Sequence, residues 1–229
     1  LDADTIVSEG SWDAARAAAG CVIDAVDMAF DGRAVRSFCA VRPPGHHALR
    51  AGAMGFCLFG NVAIGALQAR RRHEAQRVLV VDWDVHHGNG TQALVERDPG
   101  IRFVSMHQAP WYPGTGAASD RGPHESIWNV PMAAGLPPGT YVTALRDAVD
   151  RATDGFTPDL VCISAGFDCL HGDPLGGFTL EVEHIAELTR DLVARADHWC
   201  GGRVVASLEG GYVPDRVAAA SMAMMRAMR

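Results

Sequence analysis

The sequence predicts a single α/β domain, a mainly parallel twisted sheet with helices on both faces. Three observations predict it. Short apolar runs rich in β-branched residues alternate with longer helix-like stretches. The innermost runs lack polar alternation, as strands covered on both faces do. A chain of 229 residues fits one large domain with a substantial core, here taken as residues 1–229.

Residues 9–30 are Ala-rich and strongly helix-forming. The run at 36–41 is the first strand, followed by a helical stretch over 60–74. The run at 77–83 contains Val78-Leu79-Val80-Val81, apolar at every position and therefore central. Strands at 101–106 and 127–132 follow, separated by the long loop 107–125. A helix over 140–154 leads to the strand 160–165, where Leu160-Val161-Cys162-Ile163 again reads as central. A helix at 180–199, a strand at 203–208 and a helix at 214–228 complete the pattern. The loops 107–125 and 167–178 are long for plain connections, and such loops are often functional. In open parallel sheets ligands collect beyond the carboxyl ends of the strands. Each chemical motif of this chain falls at such an end.

Composition excludes several function classes. The formal net charge is −7, and no basic run exceeds Arg70-Arg71-Arg72. That run sits at a helix end, where the macrodipole favours positive charge, and reads as a solvated face. Direct nucleic-acid binding needs a concentrated basic surface and is not expected. The 6 cysteines are scattered without a Cys-x-x-Cys pair, so neither a disulfide framework nor a thiolate zinc site is expected. A reducing cytoplasm is the default compartment. No apolar run approaches membrane-spanning length, and no signal peptide is visible. The chain opens on Leu1 rather than Met. Oligomeric state stays open, with a homo-oligomer among the options.

Asp82-Trp83-Asp84-Val85-His86-His87-Gly88-Asn89-Gly90 stands where an apolar strand ends. Alternate side chains of extended chain share a face, so Asp84 and His86 can reach one ion. Asp168 follows the 160–165 strand and ends at the same edge. Two carboxylates and one imidazole leave a coordination position open, as a catalytic zinc site requires. Zinc with two aspartates is formally neutral and acidifies water less than a three-histidine site would. A nearby base is then needed, and His46-His47 on the Pro43-Pro44-Gly45 turn can supply it. The competing reading of Asp-x-Asp-x-His is turn and cap chemistry ahead of a helix near Gly90. His107 ends a strand and could face the cleft, and alternation points His87 away from the ion. His73, His124, His171, His184 and His198 read as surface or capping residues, and Cys57 as buried and inert.

From Arg42–His47 through Gly55-Phe56-Cys57, Asp82–Gln92, Tyr112-Pro113-Gly114-Thr115-Gly116, Asn129-Val130-Pro131, Ser164–Asp168, Asp173–Gly177 and Leu208-Glu209-Gly210-Gly211-Tyr212, the chain resembles the histone deacetylase family of zinc amidohydrolases. That family includes bacterial acetylpolyamine amidohydrolases. Trp83 and Asn89 resemble its class II branch. The resemblance implies the arginase/deacetylase-like fold and one zinc ion on Asp84, His86 and Asp168. It implies His47 as the base that deprotonates the attacking water and then protonates the leaving amine. His46 becomes its electrostatic partner, held by Asp82, and Asn89 faces His47. Tyr212 would donate a hydrogen bond to the scissile carbonyl. Phe56 and Tyr112 would form the channel walls, with Leu175 deeper along them, and the Gly55 carbonyl would meet the substrate amide N–H. A structural potassium ion would use the main-chain carbonyls of Asp82, Asp84, His86 and Met106 with the Ser105 hydroxyl. Singly, Tyr212 would read as a loop tyrosine, and Phe56 and Tyr112 as core packing.

The expected activity is hydrolysis of the amide of N-acetyl-lysine in proteins, or of a related acetylated amine, to acetate and a free amine. The alternatives are an acetylpolyamine amidohydrolase, a truncated inactive acetyl-amine binding relative, and an arginase-like binuclear hydrolase. The last is disfavoured because Phe167-Asp168-Cys169 offers one carboxylate only. Iron or cobalt in place of zinc stays open. In the family the domain usually begins well before the segment matching Leu1, and the resemblance implies that this head carries an outer strand or helix and a rim loop. Asp4 and Thr5 would mark the end of a second rim loop, and the divergent segment 120–126 would alter rim shape.

Overall fold

A computed structural model describes residues 1–229. In chain order the elements are α1 (Ser11–Phe30), β1 (Arg36–Cys39), α2 (Asn61–Arg72), β2 (Val78–Asp82), α3 (Asn89–Val95), β3 (Ile101–Gln108), β4 (Ile127–Met132), α4 (Pro138–Thr153), β5 (Leu160–Ala165), α5 (Val182–Cys200), β6 (Val204–Leu208) and α6 (Pro214–Ala227). The strands form one sheet in the order β1-β6-β5-β2-β3-β4, and every neighbouring pair is parallel.

Alternation along each strand splits the core in two. On β2, Leu79 and Val81 enter a cluster of 33 buried residues shared with α4, α5 and α6. Val78 and Val80 enter a cluster of 19 on the other face, against α1 and α2. The smaller cluster is mainly aliphatic and Ala-rich, and the larger adds Trp83, Trp128, Tyr141, Phe167 and Phe178, so the sheet is covered on both sides as the unbroken apolar runs require. Trp83 and Val85 continue the first face past the end of β2. Asp82, Asp84 and His86 therefore turn the other way, toward the cleft.

Local chemistry sets the element ends. α4 and α6 open on Pro138 and Pro214, where the missing N–H costs nothing. α5 opens on a reciprocal cap in which the Glu181 N–H donates to His184 Nδ1 at 3.0 Å, and closes at Gly201 with φ 63°. His184 is thus a capping residue, as read. β1 stops at Cys39, short of the expected 41, because the Val41 N–H turns back to the Cys39 carbonyl at 2.9 Å. α3 fills a gap where no helix was placed among the main elements. Its 7 residues are too few for a helical period to show.

The basic run needs correction. Arg70 is partly buried and bonds the Asp98 carboxylate at 3.1–3.3 Å and the Ala75 and Gln76 carbonyls. It ties the end of α2 to the turn before β3, and only Arg71 and Arg72 lie on a solvated face.

Candidate active site

Parallel pairing brings the motifs together. Asp82, the last residue of β2, stands in register with Ser105 on β3 and Ser164 on β5. The chain beyond β2 folds by short carboxylate bonds to its own backbone. Asp82 Oδ1 accepts the Asp84 N–H at 3.0 Å, and Asp84 Oδ1 accepts the His86 N–H at 2.9 Å. These are the turns that the competing reading expected. Here they also aim the ligands.

The ligand atoms of Asp84, His86 and Asp168 lie within 4.8 Å of one another, and all three residues are buried. His86 Nδ1 is 3.1 Å from Asp84 Oδ1 and 3.2 Å from Asp168 Oδ2. Asp84 and Asp168 are 0% exposed and pair with no arginine, only with His46 and His86. Two buried carboxylates facing each other demand a cation. Without one, burial and the neighbouring Asp84 charge push the Asp168 carboxyl up to about 7. His86 shows the complement. Burial acts to lower its pKa, but hydrogen bonds to Asp168 and Asp84 prevail and raise it to about 10. A divalent ion would replace that proton.

The surroundings fit an ion as well. Asp84 Oδ2 accepts the Gly210 N–H at 2.8 Å, and Asp168 Oδ1 accepts the Val85 N–H at 2.9 Å. Each carboxylate is thereby oriented with an oxygen directed at His86. A Cβ on Gly210 would lie 2.2 Å from Asp168 Oδ2 and 2.6 Å from Asp84 Oδ2. Only glycine leaves that side of the donor set clear. One imidazole and two carboxylates, with no thiolate, suit zinc and related divalent ions.

The histidine pair stands beside this centre. His46 Nδ1–H donates to Asp82 Oδ2 at 3.0 Å, and His46 Nε2 is 3.7 Å from Asp84 Oδ1. Burial would lower its pKa, but the Asp84 and Asp82 carboxylates outweigh that and hold His46 well above the usual value. His47 goes the other way. Burial and then the positive His46, its ring centroid 4.0 Å away, depress it well below the usual value. His47 Nδ1–H donates to Asn89 Oδ1 at 2.7 Å, which leaves Nε2 free to take a proton. The two rings thus differ, His46 favouring its charged form and His47 its neutral one.

Replacing Asn89 by Asp tests this division. A carboxylate on Nδ1 favours the imidazolium, so the His47 pKa must rise. A base that acts only when neutral then loses activity at higher pH. The acidic limb of the kcat/KM profile is expected to move toward higher pH in Asn89→Asp, and an unmoved limb would contradict the assignment.

A cleft of about 220 Å³ opens over the centre. The buried His46, His47 and His86 line it together with the exposed Phe56, Tyr112, Trp111 and Leu175, and Tyr212, Gly55, Pro44, Gly210 and Asp4 complete the lining. The Tyr112 ring stands edge-on to His47 at 5.1 Å, and Phe56 is T-shaped to Tyr212 at 6.0 Å. Gly55 and Phe56 both have left-handed backbone, φ 55° and 67°. A Cβ at Gly55 would lie 2.3 Å from the His47 ring, so only glycine lets the wall approach His47 this closely. The Gly55 carbonyl accepts the Cys57 thiol at 3.3 Å and keeps a lone pair for a second donor. Cys57 is buried and held as a thiol, chiefly by burial. Burial, then the Asp84 and Asp168 charges, raises the Tyr212 phenol above its ordinary value, so it stays a donor.

Two expectations change. Leu175 lines the cleft and is 36% exposed, like Phe56 at 37% and Tyr112 at 38%. Its carbonyl accepts the Trp111 indole N–H at 2.8 Å, which fixes both at the mouth. No residue of 120–126 lines the cleft. Asp120 instead accepts from Gln92 at 2.7 Å and Arg121 stacks over Trp128, beneath the loop. The rim contact made near the amino end is that of Asp2, which sequence reasoning missed. Its Oδ2 accepts the Gly55 N–H at 3.1 Å and the Tyr112 hydroxyl at 3.3 Å. Thr5 supports the same wall by accepting the Phe56 N–H at 3.1 Å, and Asp4 lines the cleft.

Other buried groups brace the loops. Asp173 accepts the N–H groups of Leu175 at 2.9 Å and Tyr212 at 2.8 Å, joining wall to donor. His87 turns away from the ion, as alternation required. It donates from Nε2 to Gln92 at 3.0 Å and accepts the Thr115 hydroxyl at 2.7 Å. His107 is buried, not in the cleft, and donates to the Gly116 carbonyl at 3.0 Å. Both strap down the loop that carries Tyr112.

Comparison with known proteins agrees with this geometry. A family model described as the histone deacetylase domain matches residues 1–228. The Synechocystis sp. protein slr0245 is 45% identical over 212 residues, covering 93% of this chain and 68% of its own length. Histone deacetylase 15 of Arabidopsis thaliana is 40% identical over 232 residues, covering 98% of this chain and 41% of that protein. The crystal structure of the HDA15 HD domain superposes with a TM-score of 0.92 at 39% identity, over 99% of this chain and 67% of that one. A domain match over residues 1–228 and a solved relative with the same fold at 39% identity lead to one conclusion: the chain belongs to the histone deacetylase family.

Proposed function

We propose that this chain is a zinc-dependent amidohydrolase that hydrolyses the amide of N-acetyl-lysine in proteins, or of a related acetylated amine, to acetate and the free amine. The observation that carries the reading is the aromatic-walled cleft that ends on His47, His86 and Tyr212 directly over the Asp84-His86-Asp168 cluster. Flat walls at Phe56 and Tyr112 suit a slender alkyl stem, and a floor of base and ion suits an amide.

Asp84, His86 and Asp168 would hold the zinc ion. The chemistry zinc supplies in such a place is Lewis acidity toward water and toward a carbonyl oxygen. Substrate enters with its acetyl end first, its alkyl stem lying between Phe56 and Tyr112, and the Gly55 carbonyl accepts its amide N–H. His47 Nε2 takes a proton from the attacking water, whose oxygen bonds to the carbonyl carbon. The Tyr212 hydroxyl donates to the carbonyl oxygen as negative charge grows there. His47 then returns its proton to the amide nitrogen, the C–N bond breaks, and acetate and amine leave. His46, held positive beside Asp82, keeps His47 neutral at the start. The carbonyls of Asp82, Asp84, His86 and Met106 with Ser105 would hold a potassium ion. Ser105 Oγ lies 3.0 Å from His107 Nδ1, and since His107 Nε2 donates elsewhere, the hydroxyl donates here and its lone pairs face away.

Acetylpolyamine is the second reading within the same chemistry, favoured by the Asp4 carboxylate at the mouth and the net charge of −7. No helix is long and apolar enough to cross a membrane. The scattered cysteines support a reducing compartment such as the cytoplasm. Acetate release from acetyl-lysine peptides and from N-acetylpolyamines, on zinc-loaded protein, tests the proposal. Higher kcat/KM on the peptides is expected. Preference for polyamines would select the second reading, and turnover of neither would refute both.

A further inference from the structure

Glu209 directly follows β6, is fully buried, and has no part in the steps above. Its Oε2 accepts two consecutive main-chain N–H groups, Gly45 at 2.6 Å and His46 at 3.1 Å. Its Oε1 accepts the Ser164 hydroxyl on β5 at 3.2 Å. Arg42 does not pair with this carboxylate; its guanidinium donates to the Glu209 main-chain carbonyl at 2.9 Å. The turn before the histidine pair is therefore clamped from both of its ends onto the end of one strand. On its far side the His46 carbonyl accepts the Thr91 N–H of α3 at 3.0 Å. Nothing in the reaction requires a negative charge at position 209. Two buried N–H groups that point at the same oxygen do require an acceptor.

We propose that Glu209 is a positioning residue for catalysis, whose carboxylate clamps the Gly45 and His46 N–H groups and so aims His46 and His47 at the cleft. The inference rests on the role given to His47 above. The clamp works through acceptor geometry. Glutamine at 209 keeps one oxygen for both N–H groups, and its amide can donate to Ser164 Oγ. Aspartate is one methylene shorter and cannot reach the turn while holding Ser164. Burial pushes the Glu209 carboxyl up to about 7, consistent with a neutral group being tolerated there.

The test compares Glu209→Gln, Glu209→Asp and Glu209→Ala with the wild type as zinc-loaded full chains. Steady-state kinetics on an acetyl-lysine peptide and zinc content per chain are the readouts. Misplaced catalytic groups can cost about 100-fold in rate, so kcat is expected to fall by about 10- to 100-fold in Glu209→Ala and Glu209→Asp. KM and zinc content should stay near wild type, because walls and ligands are untouched. Glu209→Gln should keep kcat within about threefold. Wild-type kcat in a folded Glu209→Ala would overturn the clamp. Should Glu209→Ala fail to fold, the other two decide: wild-type kcat in Glu209→Asp, or a loss in Glu209→Gln as large as in Glu209→Asp, would overturn it. His47→Ala in parallel separates two failures. If it is active, the reaction assignment fails; if it is inactive while Glu209→Ala is fully active, only the clamp fails.

Discussion

Asp168→Asn is expected to lose its zinc and about three powers of ten in acetate release while remaining folded. The substitution is nearly isosteric, and its Oδ1 can still accept the Val85 N–H now held at 2.9 Å. What it removes is one of two charged ligands, leaving an amide N–H₂ or a weaker oxygen facing His86. Lewis-acid stabilisation of the transition state is worth several kcal/mol, which corresponds to a rate factor of about 10³. Stability should move in the opposite direction. Metal-free wild type buries Asp84 and Asp168 against each other, and that repulsion contributes to the rise of the Asp168 carboxyl to about 7. The neutral amide relieves it. The metal-free variant should unfold at a temperature no lower than the metal-free wild type, and only the wild type should gain stability on adding zinc. Metal content, acetate release and thermal unfolding together check this. Full zinc occupancy in Asp168→Asn would remove Asp168 from the ligand set.

Tyr212→Phe is expected to lower kcat by about 10²- to 10³-fold, the equivalent of about 2.7–4 kcal/mol for one donor to an oxyanion. The ring remains, so its 6.0 Å T-shaped contact with Phe56 is kept. The main-chain N–H still donates to Asp173 at 2.8 Å, so the loop is not released. KM and zinc content should therefore change little. A matched fall in kcat and kcat/KM would mark an interaction made chiefly in the transition state. Equal turnover by wild type and variant would end the carbonyl role given to Tyr212.

The parts of the site that were legible in the sequence share a local signature. Asp84 and His86 lie two apart at the end of an unbroken apolar strand, and extended chain puts such a pair on one face. Val81, Trp83 and Val85 packing on the opposite side is the physical reason the expectation held. The strands β2 and β5 were legible because Val78–Val81 and Leu160–Ile163 are apolar at every position, while the edge strands β1 and β4 showed only as short runs between helix-like stretches. Tyr212, Phe56 and Tyr112 carried no such signature. Only the resemblance singled them out, and a lone aromatic in a loop reads as packing. Asp2, Asp173 and Glu209 were not legible as site residues. Each acts through main-chain N–H groups brought close only by tertiary folding, as Glu209 is to Gly45 across 164 positions. Arg70 misled for a related reason: its partner Asp98 is 28 residues away, on another element.

The number of zinc ions held per chain at neutral pH, measured by native mass spectrometry alongside acetate release, tests the centre most directly. One ion per chain, with activity rising in proportion to its occupancy, is the predicted result. Two ions per chain, or full activity in protein stripped of metal, would contradict it.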